Sequence, residues 1–231
     1  MKFLSIACMT VFLMLAACQD NADKKAPQQD AKQEDSVVES LDTLLSAETI
    51  QSFSTSGISE YVRKRSASFD WNKFRMVSSY QEDSMLVTPF EDNNNFFRNY
   101  GPFLKYSPDS SMFIDLDSYN IDITRDAQGR FSGSEMGPDT EVSLIDVEDK
   151  TRTRLVFLGP GGMVEDGLWL DNQTLVLMGR QENEHGKQVP TLWRFHVPTH
   201  TYFIYELPDP SLAGPMAEYW KTERLKLVKI K

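Results

Sequence analysis

The chain has very little cysteine. Its two cysteines, Cys8 and Cys18, both lie close to the N-terminus of the 231-residue sequence. The remainder of the chain therefore has no thiol for a disulfide framework, a cysteine metal site or a cysteine nucleophile. We expect the folded part to be stabilised by an ordinary hydrophobic core.

Long apolar runs are also missing. The run from Phe3 to Leu15 is shorter than the ~20 residues that a transmembrane helix needs. It follows the positively charged Lys2 and ends in small residues, which is typical of a cleaved export signal. The sequence therefore predicts export and removal of the leader.

The leader closes with Leu15-Ala16-Ala17-Cys18. This stretch resembles the lipobox of bacterial lipoproteins. The resemblance implies a signal peptide over residues 1–17 and a lipidated Cys18 with two or three acyl chains, which would hold the protein firmly on a membrane. Gln19 is not the usual residue for inner-membrane retention, so the outer membrane is favoured. The alternative is an ordinary secretory signal in which Cys18 is accidental.

Positive charge is scarce as well. There are 24 Lys and Arg against 34 Asp and Glu, a formal net charge of −10. This acidity argues against nucleic acid as a partner and against electrostatic docking on anionic lipid. We therefore expect contact with the membrane through the N-terminal lipid alone.

A tether and one domain are predicted after Cys18. Gln19–Asp35 contains no aromatic or β-branched residue, so it cannot bury enough apolar surface to fold. Residues 18–35 are predicted to be a lipidated, disordered tether, with a docking site for a partner as the alternative. Residues 36–231 fit a single domain.

The domain is expected to begin with short helices. Ser46 and Glu48 are start signals for a helix through Phe53, and Ile58–Arg65 fits another whose basic end is solvated. An earlier helical face is formed by Val37, Val38, Leu41, Leu44 and Leu45.

From Phe74 onward short apolar runs alternate with turn residues, which predicts strands. One hairpin is expected from Arg75–Tyr80 and Met85–Phe90, and another from Ile121–Arg125 and Arg130–Ser132. Later strands are predicted at Glu141–Val147, Arg154–Leu158, Leu175–Arg180, Leu192–Val197 and Tyr202–Leu207.

The C-terminus is predicted to contain a helix from Pro215 to Arg224 and a strand from Leu225 to Lys231. Lysines interrupt this strand, as they do in edge strands that avoid pairing with other chains. A membrane-binding tail is the alternative.

Two pairs of stretches are similar to each other. Tyr106–Ile114 matches Leu168–Val176, and Val142–Val147 matches Leu192–Val197. Over about Phe103–Leu207 they resemble the blades of TolB-like and WD40-like β-propellers. Two blades are too few for a closed propeller. The predicted fold is therefore mainly β, with antiparallel blade-like sheets that are open or sandwich-like and short N-terminal helices. The alternative is that the chain forms part of an oligomeric ring.

Residues with metal-binding or catalytic chemistry form no recognisable motif. Asp115, Asp117 and Asp122 lack the spacing of a calcium loop and are expected to lie exposed on a strand face. His196 and His200 fall on a strand end and its turn, which does not give the helical zinc spacing. The loop at residues 159–162 is interpreted as a connector between blades. We expect no metal and no cofactor.

Aromatic residues are the remaining candidates for ligand binding. Tyr219 and Trp220, near the C-terminus, are expected to be exposed, and Trp169 is a third candidate. Trp193 alternates with Arg194 and is expected to point inward.

The leading functional hypothesis is a lipid-anchored protein of the bacterial cell envelope that binds a partner protein or a glycan without catalysis. The alternative is an envelope hydrolase that acts on glycan or peptide, which predicts a pocket with convergent carboxylates or a Ser-His pair.

Overall fold

The computed structural model describes residues 44–92 and 95–231. The lipobox-like stretch, the predicted tether and the part of the first predicted helical face up to residue 43 lie outside the described residues. The α-helices are α1 (Ala47–Ser54), α2 (Gly57–Arg65), α3 (Phe96–Tyr100) and α4 (Ala213–Met216), and a π-helical turn spans Trp220–Arg224. No helix of the described part is long and apolar enough to cross a membrane.

Strands dominate the rest of the described chain. They are β1 (Arg75–Gln81), β2 (Val87–Pro89), β3 (Lys105–Tyr106), β4 (Met112–Asp115), β5 (Ile121–Arg125), β6 (Phe131–Glu135), β7 (Thr140–Asp146), β8 (Thr151–Leu158), β9 (Met163–Trp169), β10 (Thr174–Glu182), β11 (Gln188–His196), β12 (Thr201–Glu206) and β13 (Val228–Ile230).

The strands form three sheets, none of which closes on itself within the described residues. Sheet 1 has the order β1-β12-β11-β10-β9, sheet 2 the order β2-β8-β7-β4-β3, and sheet 3 the order β13-β6-β5. Neighbouring strands are antiparallel except β13 and β6, which are parallel. The prediction of a mainly β fold with open sheets and short helices near its start is confirmed.

Sheets 1 and 2 each contain a meander of four strands. The meander β9-β10-β11-β12 matches β3-β4-β7-β8, into which the hairpin β5-β6 is inserted. The two similar stretches Tyr106–Ile114 and Leu168–Val176 form the first turn of each meander. Asp109 N in one turn donates to Asn172 Oδ1 in the other at 3.0 Å. The predicted internal similarity therefore corresponds to equivalent pairs of strands.

The central strands of both large sheets are buried on both faces, whereas the edge strands β1 and β2 are largely exposed. In β10, Leu175 and Leu177 pack against residues of sheet 2, whereas Val176 and Met178 pack against the helices α1 and α2. Alternate residues of a strand point to opposite faces, so sheet 1 lies between helices and sheet 2.

Sheet 2 follows the same rule. Ile114 and Leu144 face sheet 1, whereas Phe113 and Ile145 pack with α3 and sheet 3. The layers are therefore helices, sheet 1, sheet 2, and sheet 3 with α3. Strands buried on both faces read as continuous apolar runs rather than as alternating ones.

Several local predictions are confirmed. The Ser46 side chain accepts a hydrogen bond from Thr49 N at the start of α1, and α2 ends in the exposed Arg63-Lys64-Arg65. The hairpin β5-β6 forms, with Gly129 at φ +81° in its loop. The five later strands are all present.

Other local predictions are wrong. Arg75–Tyr80 and Met85–Phe90 form no hairpin, because β1 pairs with β12 in sheet 1 and β2 pairs with β8 in sheet 2. Leu44 is not helical; it pairs with Arg75. The helix expected from Pro215 to Arg224 is interrupted at Glu218, whose φ of +66° is left-handed.

Candidate functional site

A turn of buried acids joins sheet 2 to sheet 3. Asp115 ends β4 and Asp117 follows it, before β5 begins at Ile121. The expectation that these acids lie exposed is wrong, because Asp115 is 2% exposed and Asp117 is 3% exposed. Two arginines from distant parts of the chain cover the turn, and a strand pattern alone cannot reveal that cover.

Asp115 is held by four donors. Its Oδ1 accepts from the backbone N of Asp117 at 3.1 Å and of Ser118 at 3.0 Å. Its Oδ2 accepts from Arg152 Nη2 at 2.9 Å and from Ser118 Oγ. Buried charges persist in proteins when they are paired and hydrogen-bonded in this way. Arg152 is therefore fixed at a defined place on β8.

Asp117 makes a second buried pair. Its Oδ2 lies 2.6 Å from Arg224 Nη1, and both side chains are at most 5% exposed. Asp117 Oδ1 accepts no hydrogen bond from a described residue. Burial raises the pKa of Asp117, which the Arg224 charge partly offsets. This pair fastens the C-terminal π-helical turn to the turn of acids.

Glu165 completes the attachment of the C-terminal segment. Its carboxylate accepts from Trp220 N at 3.1 Å and Glu218 N at 3.3 Å, and Arg180 Nε lies 3.5 Å away. Its own carbonyl accepts from Arg224 Nε at 3.0 Å. Burial raises the pKa of Glu165 in spite of these partners.

Arg152 is also part of the wall of a surface cavity of about 440 Å³, which we call the Arg152 cavity. This volume is within the ~300–1,000 Å³ of typical small-molecule sites. Its wall combines aromatic, polar and acidic side chains, among them Phe90, Phe96, Asn99, Tyr100, Glu91 and Asp122.

The aromatic wall of the cavity is held by packing and by hydrogen bonds. Arg152 Cζ lies 5.6 Å from the ring centre of Phe90 and 5.9 Å from that of Phe96. The Tyr100 hydroxyl donates to Ile121 O at 2.9 Å, and burial raises its pKa. Arrangements held by packing and hydrogen bonds need little reorganisation when a ligand binds.

The predicted binding aromatics do not lie in this wall. The expectation that Tyr219 and Trp220 are exposed is wrong, since each is 7% exposed. The left-handed Glu218 and the bond from Trp220 N to Glu165 turn this segment inward. Trp169 is half-buried, and its Nε1 donates to Lys105 O at 2.9 Å. Their role in ligand binding stays a prediction, and Cys18 lies outside the described residues.

The other motifs lie where the sequence predicted. The loop at residues 159–162 connects β8 of sheet 2 to β9 of sheet 1, and Trp193 is buried. His196 ends β11, and its Nδ1 is 2.8 Å from Thr199 Oγ1. Within residues 44–92 and 95–231, no three His, Cys, Asp or Glu side chains are grouped so that they could hold a metal ion.

Sequence reasoning missed Arg152 and the aromatic wall. Arg152 and Asp115 are 37 positions apart, and no local pattern links them. Comparison of the chain with protein-family models, with curated proteins and with solved structures finds no match.

Proposed function

We propose that this chain is a lipid-anchored protein of the bacterial cell envelope whose folded part binds a ligand or a partner without chemical turnover. The anchoring half rests on the lipobox-like Leu15–Cys18. The binding half rests on one observation: the Arg152 cavity has an arginine paired with a buried carboxylate beside a packed aromatic wall. Convergent polar groups in a formed cavity are the usual mark of a binding site.

The two meanders support a finer proposal about the fold. Their matching strands and turns are what two copies of a blade-like unit, similar to those of TolB-like and WD40-like propellers, would give. The two copies then stack face to face in an open arrangement and form no ring.

The anchoring half is tested by membrane fractionation of the full-length chain in its native host. We expect Cys18→Ser to release the protein from membranes, because the acyl chains are its only firm attachment. Cys8→Ser is the matched control, since Cys8 lies within the same leader, and it should leave the protein membrane-bound. Retention of the Cys18→Ser protein would contradict the anchor.

The binding half is tested by capture of a C-terminally tagged full-length chain from detergent-solubilised membranes. We expect a stoichiometric bound molecule that is retained by Arg154→Lys and lost by Arg152→Lys. Arg154 is a matched control because it lies on the same strand and pairs with the buried Glu141 at 2.6 Å outside the cavity. The binding proposal would be contradicted if both variants captured the molecule equally, or if wild type and both variants were recovered without any bound molecule.

One observation favours the alternative of an envelope hydrolase. Two carboxylates, Glu91 and Asp122, line the same cavity, and glycosidases use such pairs. Both side chains are exposed, whereas the proton donor of a glycosidase commonly lies in apolar surroundings. Turnover of a glycan by the full-length protein, abolished by Asp122→Asn, would replace binding by hydrolysis.

A further inference from the structure

Arg152 has donors left over for a ligand. Its Nη2 donates to Asp115 Oδ2 at 2.9 Å and lies 3.5 Å from Ser118 Oγ. Its Nε and Nη1 donate to no described residue, and the side chain is 23% exposed. Nε has one N–H and Nη1 has two, so three N–H groups are available at the edge of the cavity.

These N–H groups are only partly suited to a carboxylate or a phosphate. Each edge of a guanidinium that can bind an anion through two parallel bonds includes Nη2. Asp115 takes one of the two N–H groups of Nη2, so at most one such edge stays complete, and Nε and Nη1 point in different directions. They suit separate oxygens, such as hydroxyl or carbonyl groups.

The charge of the cavity also disfavours anions. Glu91 and Asp122 line it and have no ion-pair partner among the described residues, while Asp115 stands behind Arg152. The three carboxylates outnumber the one guanidinium, and the chain as a whole has a net charge of −10. An anionic ligand would meet net repulsion here.

The remaining wall matches the two kinds of surface on a sugar ring. The Asn99 side-chain amide, whose Oδ1 accepts from Arg125 N at 3.2 Å, keeps its Nδ2 donors unengaged by described residues. Asp122 and Glu91 can accept hydrogen bonds from hydroxyls. The half-buried Phe90 offers apolar surface, and the buried Phe96 packs against it at 5.1 Å between ring centres. Hydroxyls both donate and accept, whereas the C–H face of a sugar is apolar.

We propose that the Arg152 cavity binds a neutral saccharide, with Arg152 and Asn99 donating to its oxygens, Asp122 accepting from its hydroxyls and the Phe90 ring covering its apolar face. This inference rests on the proposed binding function and names its ligand class. An N-acetylated disaccharide is the best probe, because its acetamido carbonyl adds an acceptor for Arg152 and its methyl group adds apolar surface.

The test is calorimetric titration of the detergent-solubilised full-length protein with N,N′-diacetylchitobiose, maltose, inorganic phosphate and trilysine. We expect saturable binding of at least one disaccharide and none of phosphate. Trilysine, which the net negative charge of the cavity attracts, should bind more weakly than the disaccharide. Binding of phosphate or trilysine alone, or of no probe, would overturn the inference.

Variants locate the site. Arg152→Lys keeps the charge beside Asp115 but loses the directed N–H groups, so we expect saccharide affinity to fall by about tenfold or more. Arg154→Lys should leave affinity within about twofold. Asp122→Asn is a second variant at an exposed position, with an expected loss of about fivefold or more. Unchanged affinity in both cavity variants would place the sugar elsewhere.

The two proposals fail separately. Suppose that the membrane capture yields a bound molecule that depends on Arg152, while no disaccharide binds in the titration. The proposed binding function would then be supported and the saccharide would be contradicted. If capture did not depend on Arg152 but saccharide binding did, the saccharide site would be supported. The captured partner would then bind outside this cavity.

Discussion

Asp115 shows how a single carboxylate can organise a site. It is almost completely buried, yet four donors surround it and one of them is the arginine that lines the cavity. Removing the charge of a buried paired group usually costs more than the pair itself contributes, because the partner is left without compensation. The residue is therefore structural and also positions Arg152.

Asp115→Asn should lower the free energy of unfolding by about 2–4 kcal/mol, since Arg152 loses its buried counter-charge. Urea unfolding followed by tryptophan fluorescence measures this change. Asp126→Asn is the control, because Asp126 pairs with Arg130 at 2.7 Å on an exposed loop and its change should be small. An Asp115→Asn protein as stable as wild type would contradict the positioning role.

The burial of Glu165 predicts how the stability of the folded protein changes with pH. Burial raises its pKa above the ordinary 4.5, so the folded protein binds this proton more tightly than the unfolded chain. The resulting stability is fully present below about pH 4.5 and is lost as the pH rises through the folded value.

The corresponding measurement compares wild type with Glu165→Gln by urea unfolding at pH 5 and pH 7. The stability of wild type relative to the variant should be larger at pH 5 than at pH 7. A difference that is constant, or larger at pH 7, would show that Glu165 does not titrate as inferred.

At the scale of elements, the C-terminal segment is fixed by charge as well as by packing. The π-helical turn inserts Arg224 between Asp117 and the carbonyl of Glu165, and β13 then pairs with β6. The segment covers the edge of sheet 3, which would otherwise offer free backbone groups for aggregation.

Arg224→Met should destabilise the protein by about 3–5 kcal/mol, because it leaves Asp117 buried and unpaired. Lys221→Met is the matched control on the same turn, since Lys221 pairs with Glu135 at the surface. Urea unfolding and limited proteolysis at residues 217–231 check this. Equal effects of the two substitutions would refute the importance of the buried pair.

The pairing of β9 with β10 depends on one glycine. A Cβ at Gly179 would lie 2.0 Å from Met163 O, at a point where the register of the two strands shifts. Gly179→Ala should therefore cost about 1–3 kcal/mol. Thermal or urea unfolding measures this loss of stability. Gly159→Ala is the control, because the space around its Cβ is open, and it should be nearly neutral. Comparable losses of stability in the two variants would contradict the close approach at Gly179.

At the scale of the whole molecule, four layers bury both faces of the central strands in each large sheet. Sheet 1 separates the helical layer from sheet 2, and sheet 2 separates sheet 1 from sheet 3 with α3. The Arg152 cavity forms where α3 and the turn after β4 meet β8. The site is thus assembled from segments that are distant in sequence.

This assembly explains which parts could be predicted. Strands such as Leu175–Arg180 and caps such as Ser46 are set by local patterns, so the sequence predicts them well. The pairing of β1 and β2 with different sheets, the burial of Asp115 and the meeting of Arg152 with Phe90 are decided by long-range packing. No spacing within a short window encodes them.

Native mass spectrometry of the full-length protein, purified in mild detergent from membranes of its own host, tests the lipid anchor and the ligand in the Arg152 cavity together. We predict a chain that begins at Cys18 and has the added mass of acyl groups, together with a non-covalently bound molecule that is absent from Arg152→Lys and present in Arg154→Lys. An unlipidated chain, or a bound molecule indifferent to Arg152, would contradict an anchored protein that binds its ligand in this cavity.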